Sequence, residues 1–290
     1  MKTKNKIIIE SEDSWDLIIT PRKKWYDLQL GDVWRYRDLI SLFVRRDFVA
    51  KYKQTILGPL WFLIQPLLTS LVFTVIFGNI AQLPTDDLPQ LLFYMSGNVL
   101  WNYFSACLVS TSDTFIANAN LFGKVYFPRL VMPISVVISN LITFAIQFVF
   151  FLAFFLYFFL RQTNVSFTLW ALALPYLVFL MAGLGLGFGI IISSLTTKYR
   201  DLRYLVSFGV SLWMYGTPVI YPVSSIPEGW RWIANINPVT PIIETFRMGF
   251  LGQGNATWLG LGYSTLFMLF VMFIGVVIFN RVEKTFIDTV

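Results

Sequence analysis

The stretch RRDFVAKYK, residues 45–53, carries four cations, Arg45, Arg46, Lys51 and Lys53, beside one anion, Asp47. After Lys53 no charge appears until Asp86. A basic cluster at the edge of a long apolar run binds anionic headgroups at a membrane surface. Little other chemistry is on offer. The chain has no histidine, so the commonest general base and metal ligand is missing. Its one cysteine, Cys107, permits neither an internal disulfide nor a cysteine metal cluster. No G-x-x-x-x-G-K-[ST] is present. The single Gly-Lys pair, Gly123-Lys124, lacks the upstream glycine and the following hydroxyl residue, so no nucleotide is held by a P-loop. Inside the long apolar runs stand only neutral polar groups: Gln65, Asn98, Asn102, Asn140 and Gln147. Such groups serve more often as helix-to-helix glue than as ligands. Ion-coupled transporters and proton pumps need ionisable groups at mid-membrane depth. A chain without them borrows its energy, is passive, or does not transport.

The elements that must position these groups are membrane helices. The 290 residues are 56% apolar, 18% aromatic and only 13% charged, whereas soluble domains carry about 25% charged residues. The pattern predicts an all-α polytopic membrane protein with six spans, at about 57–80, 91–117, 130–160, 169–195, 203–221 and 258–280. The second is the weakest, interrupted by Gly97, Asn98 and Asn102, and the fifth is short and ends among prolines. No apolar stretch of signal-peptide length precedes the first span, so the first span is expected to target the chain. Six spans put residues 1–56, the 118–129 and 196–203 loops and the C-terminus on one side, and that side holds 19 of the 22 lysines and arginines. The positive-inside rule then makes both termini cytoplasmic. The +6 net charge reflects topology and lipid contact rather than nucleic-acid binding.

Residues 32–56 read as an amphipathic interfacial helix, with Leu39, Ile40, Phe43 and Val44 at helical spacing among Arg35, Arg37, Arg45 and Arg46. Gly58-Pro59 turns it into the first span. It is either a lipid anchor or a lever that a cytoplasmic partner can push. Residues 216–254 hold five of the 13 prolines and are too apolar for an open loop. Irregular backbone at membrane depth must be buried in protein or line a watery cavity. A pair of re-entrant helices is expected there, near 228–236 and 240–251, with Trp230 and Trp232 at the outer interface. In MAGLGLGFGIIISS, Gly183/Gly187 and Gly185/Gly189 are small-xxx-small pairs suited to close helix packing. The loop ANANLFGKVYFPRL, residues 117–130, crowds Leu121, Phe122, Val125, Tyr126 and Phe127 beside Lys124 and Arg129, with Asn120 able to cap a short helix. Burial at the membrane surface and docking to a soluble partner both fit it.

Five motifs in order, WRYRDLISLFVRRDFVAKYKQTILGPLWFLIQPLLTSLVFTVIFG, ANANLFGKVYFPRLVMPISVVIS, KYRDLRY, TPVIYP and INPVTPIIETFR, resemble the permease subunit of type-2 ABC exporters of cell-surface polysaccharides. The O-antigen exporter branch is the most similar. The resemblance runs from residue 32 to the end. It implies a homodimer with two copies of a separate ATPase subunit, which binds ATP and Mg, so this chain needs no cofactor and is not itself an enzyme. It implies a cytoplasmic segment 1–31, an interfacial helix 32–56, a transmembrane domain 57–281 and a tail 282–290, in a bacterial inner membrane. Residues 1–31 fit either a short hairpin around SEDSWD or a disordered lead. The coupling loop to the ATPase would use Asn120, Leu121, Phe122, Lys124 and Tyr126. The cargo would be an undecaprenyl-diphosphate-linked glycan, and Arg45, Arg46, Lys51 and Lys53 would meet its pyrophosphate. Aromatic rings give sliding contacts to sugars. Trp61, Tyr94, Trp101, Tyr103, Tyr215 and Tyr221, with Trp230 and Trp232, are the channel or gate candidates. The same machinery exporting capsular polysaccharide, a teichoic-acid-like polymer or a smaller amphiphile stays open. So, more distantly, does a non-transporting membrane protein of glycan assembly, whereas the uncharged span interiors argue against a secondary flippase.

Overall fold

Proline and glycine set where the apolar runs begin and break. In the computed structural model, which describes residues 30–53, 55–118, 121, 124–125, 127–161, 163–196, 199 and 201–286, the described residues form helices and no strand. The expected hairpin within 1–29 lies outside them. So do Asn120, Phe122 and Tyr126, together with the side chain of Lys51. Short α1 (Leu30–Arg35) leads into α2 (Arg37–Tyr52). Gly58, at φ 52°, opens a 3-10 turn with Pro59 in it, and α3 (Trp61–Phe73) follows. Pro66 stands inside α3, and the helix widens into a π turn over Thr74–Ile80. Next come α4 (Gln90–Ser112), short α5 (Thr114–Ala117) and α6 (Val131–Leu160). A 3-10 turn, Leu169–Ala173, enters α7 (Leu174–Thr196), followed by α8 (Leu202–Tyr215). Two shorter helices, α9 (Arg231–Ile236) and α10 (Thr240–Leu251), precede α11 (Trp258–Phe286).

Among the described residues, four helical segments are long and apolar enough to cross a membrane: Gly58–Ile80, Val131–Leu160, Leu169–Thr196 and Trp258–Phe279. The two remaining expected spans differ from these for separate reasons. α4 has the length, but 16 of its 23 residues are buried in protein. A helix at the hub needs little lipid-facing surface, and it can carry Ser96, Gly97, Asn98 and Asn102. α8 stops at Tyr215, six residues short of the expected 221. Its 14 residues rise only about 21 Å against a hydrocarbon core of about 30 Å. Gly216-Thr217-Pro218 ends it, because proline removes a donor and restricts the residue before it.

The core gathers around α4, which packs against α7, α6 and α3. The glycine pairs of α7 explain the closeness. A methyl group at Gly185 would lie 2.7 Å from Cβ of Cys107, and one at Gly189 2.5 Å from Cβ of Thr111, both on α4. The other pair serves a different neighbour: Gly183 abuts Met268, and a methyl at Gly187 would lie 3.0 Å from Val271 Cγ1, both on α11. One helix therefore presents two glycine stripes to two partners. α2 lies on the start of α6, and its apolar stripe is taken up by protein. Phe43 is buried with Phe127, Val131 and Met132, and Leu39 and Ile40 pack beside them. Arg45, Lys53 and Leu42 remain exposed on its other faces.

Overfilling a tight helix contact costs about 1–3 kcal/mol. Gly189→Leu is therefore expected to lower the thermal unfolding midpoint of the detergent-solubilised protein. Gly262→Leu, where nothing lies within 4 Å of the added methyl, is expected to leave it unchanged. Equal midpoints for both variants would refute the packing role.

Candidate functional site

Three helices enclose a polar groove of about 440 Å³. α3 contributes Trp61, Gln65 and Thr69; α4 contributes Asn102, Tyr103 and Ser105; α6 contributes Asn140, Thr143 and Gln147. The α3 and α6 sets recur at spacings of three or four, so each of these two helices turns one polar face inward, while Asn102, Tyr103 and Ser105 stand within one turn of α4. Every one of these side chains is neutral. Asn98 does something else: its Nδ2 donates to Ser70 Oγ at 3.0 Å and ties α4 to α3. Of the five neutral groups singled out from the sequence, this one is helix glue, and the other four line the groove.

The aromatic candidates fall into separate places. Trp61, half exposed, and Tyr103, buried against Phe144, line the groove. Tyr94 and Trp101 do not. Tyr94 sits edge-on to Phe73 and Phe93, and Trp101 packs on Phe104 and Trp213, all within the core of this chain. Tyr215, Tyr221 and Trp230 meet in a second cleft of about 410 Å³ with Ile233, and the Tyr221 hydroxyl donates to the Tyr215 carbonyl at 2.9 Å. Trp232 is exposed and outside that cleft.

Beside this cleft the broken backbone after α8 is buried, and side chains cover the carbonyls of Gly216, Pro218 and Val219. Thr217, Val219 and Ile220 are at most 2% exposed. Asn237 Nδ2 donates to the Gly216 carbonyl and to Thr217 Oγ1, and its Oδ1 accepts from Val239 N–H. Arg247, 2% exposed, supplies the rest. Its Nη1 donates to the Pro218 carbonyl at 2.6 Å, its Nη2 to the Val219 carbonyl at 2.9 Å and its Nε to Ser96 Oγ at 3.3 Å. The guanidinium lies 3.8 Å from the centre of the Phe93 ring. Gly97 makes room, since a methyl there would sit 2.9 Å from the Val219 carbonyl oxygen. Glu244, one helical turn away, is the counter-charge at 3.5 Å. Burial pushes its carboxyl above the usual carboxylate range, against the pull of Arg247 and of the Asn255 amide. Burial also pushes Arg247 down to about 10, which leaves it a cation at neutral pH. One side chain thus joins α10, α4 and the interrupted end of α8. By charge count alone Arg247 is one of the three lysines and arginines outside the basic side. The available signal was Glu244 and Arg247, three apart in the apolar run TPIIETFRMGF, where charges must be paired.

At the opposite end of the bundle, Leu121 packs against the Phe43 and Phe127 cluster, so Leu121 and Phe127 of the loop rest on α2. Arg46 Nη2 donates to Asn118 Oδ1 at 3.5 Å, and its guanidinium covers the Phe43 ring at 4.8 Å. Lys124 and Val125 point outward, exposed. Arg203 pairs with Asp113 at 2.7 Å and ties the start of α8 to the end of α4. Thr196 Oγ1 donates to the Ser112 carbonyl at the same end. The described residues of the loop, α2 and the ends of α4, α7 and α8 therefore form one connected surface.

Residues 38–251 match the ABC-2 type transporter family. The chain belongs to that family. Among its relatives, the O-antigen export system permease protein RfbA of Klebsiella pneumoniae is 29% identical over 252 residues, covering 87% of this chain and 94% of the relative. The RfbA protein of Myxococcus xanthus is 27% identical over 220 residues, 74% of this chain and 81% of its own. The polysialic acid transport protein KpsM of Escherichia coli is 24% identical over 257 residues, 86% and 95% respectively. The family match takes in α2, the groove, the 118–130 loop and the pinned turn, and it ends with α10.

Removing one partner of a buried, hydrogen-bonded charge pair costs about 3–5 kcal/mol. Arg247→Met is expected to lower the unfolding midpoint sharply and to reduce the monodisperse yield. Arg247→Met combined with Glu244→Gln is expected to recover part of the loss, because no lone charge stays buried. A single variant as stable as the parent would show that the pin carries no weight.

Proposed function

We propose that this chain is the membrane-spanning subunit of an ATP-driven exporter that moves a lipid-linked polysaccharide, an O-antigen, across the bacterial inner membrane. The observation that carries the reading is a groove lined by amides and hydroxyls without a single charged side chain, in a chain whose relatives are named O-antigen export permeases. Hydroxyl-rich cargo needs neutral donors and acceptors at membrane depth, and the amides and hydroxyls of Gln65, Thr69, Asn102, Asn140 and Thr143 supply both. No coupling charge is built into the groove, so the energy comes from a separate ATPase subunit that holds ATP and Mg. Capsular polysaccharide is the second reading, favoured by the likeness to the polysialic acid transport protein.

The same reading arranges the rest. Six spans, with α4 and α8 counted among them, place the α2 end in the cytoplasm and α9 and α10 on the outer side as a re-entrant gate. Two copies of this chain form the working unit. α3 and α8 support this, because they bury little of themselves within one chain and expose Leu68, Val72, Phe208 and Leu212. Arg45, Arg46, Lys51 and Lys53 meet the pyrophosphate that links lipid to glycan. Phe48 stacks on Phe62 at the start of α3, which places α2 beside the groove mouth at Trp61. The 118–130 loop, including Asn120, Leu121, Phe122, Lys124 and Tyr126, is the seat of the ATPase. Its movement reaches the groove through α2 and the start of α6.

The coupling role is checked by the ATPase rate of the assembled complex in nanodiscs, with the parent chain and with Phe122→Asp. The variant is expected to dissociate the ATPase subunit, or to leave it hydrolysing without response to lipid-linked glycan. Unchanged assembly and rate would move the coupling contact elsewhere, with α2 the first place to look.

A further inference from the structure

At the end of the bundle away from α2, a bowl of about 640 Å³ opens among four separate segments. Asp86 and Asp87 come from the connection between α3 and α4, Arg231 and Asn235 from α9, and Asn255 from the connection after α10. Glu244 closes its buried end. Among the described residues Val223 is the one apolar side chain in the lining. Asp86 is oriented by Ser224, whose hydroxyl donates to its carboxylate at 2.7 Å. Glu244 is 5% exposed; Oε2 accepts from the Asn255 N–H at 3.1 Å, and Oε1 has no hydrogen-bond donor, its nearest cation being Arg247 at 3.5 Å. Glu244 is thus held by its own neighbours, and a ligand in the bowl meets Asp86, Asp87, Arg231 and Asn235.

The lining narrows what that ligand is. Carboxylate, amide and guanidinium groups are planar forks with two sites side by side. Adjacent ring hydroxyls of a sugar present two groups at a matching spacing, each able to donate and accept. Arg231 and Asn235 stand four apart on α9 and reach the bowl, while Trp230 and Ile233 of the same stretch line the aromatic cleft beside it. Hydroxyl partners and an aromatic wall thus sit on two sides of one short helix. The acids do not form a three-ligand metal set among the described residues.

Charge sets a further condition. Asp86, Asp87 and Glu244 face one lining cation, Arg231, which also lies 3.9 Å from Glu228. Arg247 beneath the floor is committed to Glu244 and to three oxygen acceptors. The surplus is negative, and like charges brought within a few ångströms repel.

We propose that this bowl is a carbohydrate subsite at the exit of the exporter, which takes neutral or amino sugars and turns away sugars bearing a carboxylate. It rests on the reading of the chain as a polysaccharide exporter. The test has two arms. Deleting this chain in its native host is expected to remove the surface polysaccharide; surface polysaccharide that persists would remove the exporter reading itself, and the bowl's role with it. In the second arm, polysaccharide released from that host by mild acid is added to the assembled permease and ATPase complex in nanodiscs, and saturation-transfer NMR is recorded. Transfer to ring protons is expected with the parent complex. Asp87→Asn and Asn235→Ala are each expected to lower it about fivefold, the loss of one hydrogen bond, with assembly and basal ATPase rate recorded alongside to show that the complex is intact. Oligosialic acid is expected to give no transfer. If deletion removes the polysaccharide but the parent complex gives no transfer, or both variants keep it, the subsite is overturned while the exporter reading stands. Transfer that requires calcium and disappears with EDTA would replace the direct contact with a bridging ion and overturn it equally. Equal transfer to oligosialic acid would overturn the charge selection.

Discussion

A guanidinium buried in an apolar protein must satisfy its donors locally or stay out. Arg247 satisfies them on two backbone carbonyls, a serine hydroxyl, a phenyl face and one carboxylate. The two carbonyls belong to Pro218 and Val219, in the stretch where α8 gives way to irregular chain. In a bilayer an unpaired carbonyl costs several kcal/mol, so this interruption exists because an arginine from another helix covers it. The consequence spreads outward. Holding 217–220 against α4 requires Gly97, and keeping the arginine buried requires Glu244. Placing both charges on one face fixes the roll of α10, whose Gly249 in turn lets Ala171 approach.

The molecule thus divides into a rigid half and a lightly held half. α4, α7 and α11 interlock through glycine stripes at distances where even a methyl group would collide. α3 and α8 have few buried residues of their own, Ser70 and Phe73 in α3 and Val210 in α8. α3 also carries Pro66 and a π turn, each of which loosens the regular ladder of hydrogen bonds. The groove lies between the two halves, with its α3 wall on the loose side and its α4 and α6 walls on the rigid one. A groove bounded in this way can change width without unfolding anything.

Much of this was legible in the chain. Four apolar runs became four membrane-length helices with ends within a few residues of those expected. The broken segment resolved into helices at 231–236 and 240–251, because its prolines mark those helix ends. The glycine pairs packed helices, as small residues at such spacing must. Other features were not readable, for physical reasons. Period and composition show that Tyr94 and Trp101 lie in an apolar helix. They do not show that α4 is the hub, so these rings pack inside one chain and line no groove. Gln65, Asn102, Asn140 and Gln147 looked like glue one at a time, and only three helices side by side turn them into a lining. The Arg247 pin depends on pairing across about 30 residues of sequence, which no local pattern encodes.

The neutrality of the groove has an electrical meaning. A unit charge carried across the membrane field feels about 2.3 kcal/mol per 100 mV. The side chains named on the three groove walls carry none, and the buried pair at the end away from α2, Glu244 and Arg247, sums to zero as long as it moves together. Shifting α3 against α4 and α6 therefore displaces no gating charge. The membrane voltage thus has no charge to act on among the side chains named on the groove walls.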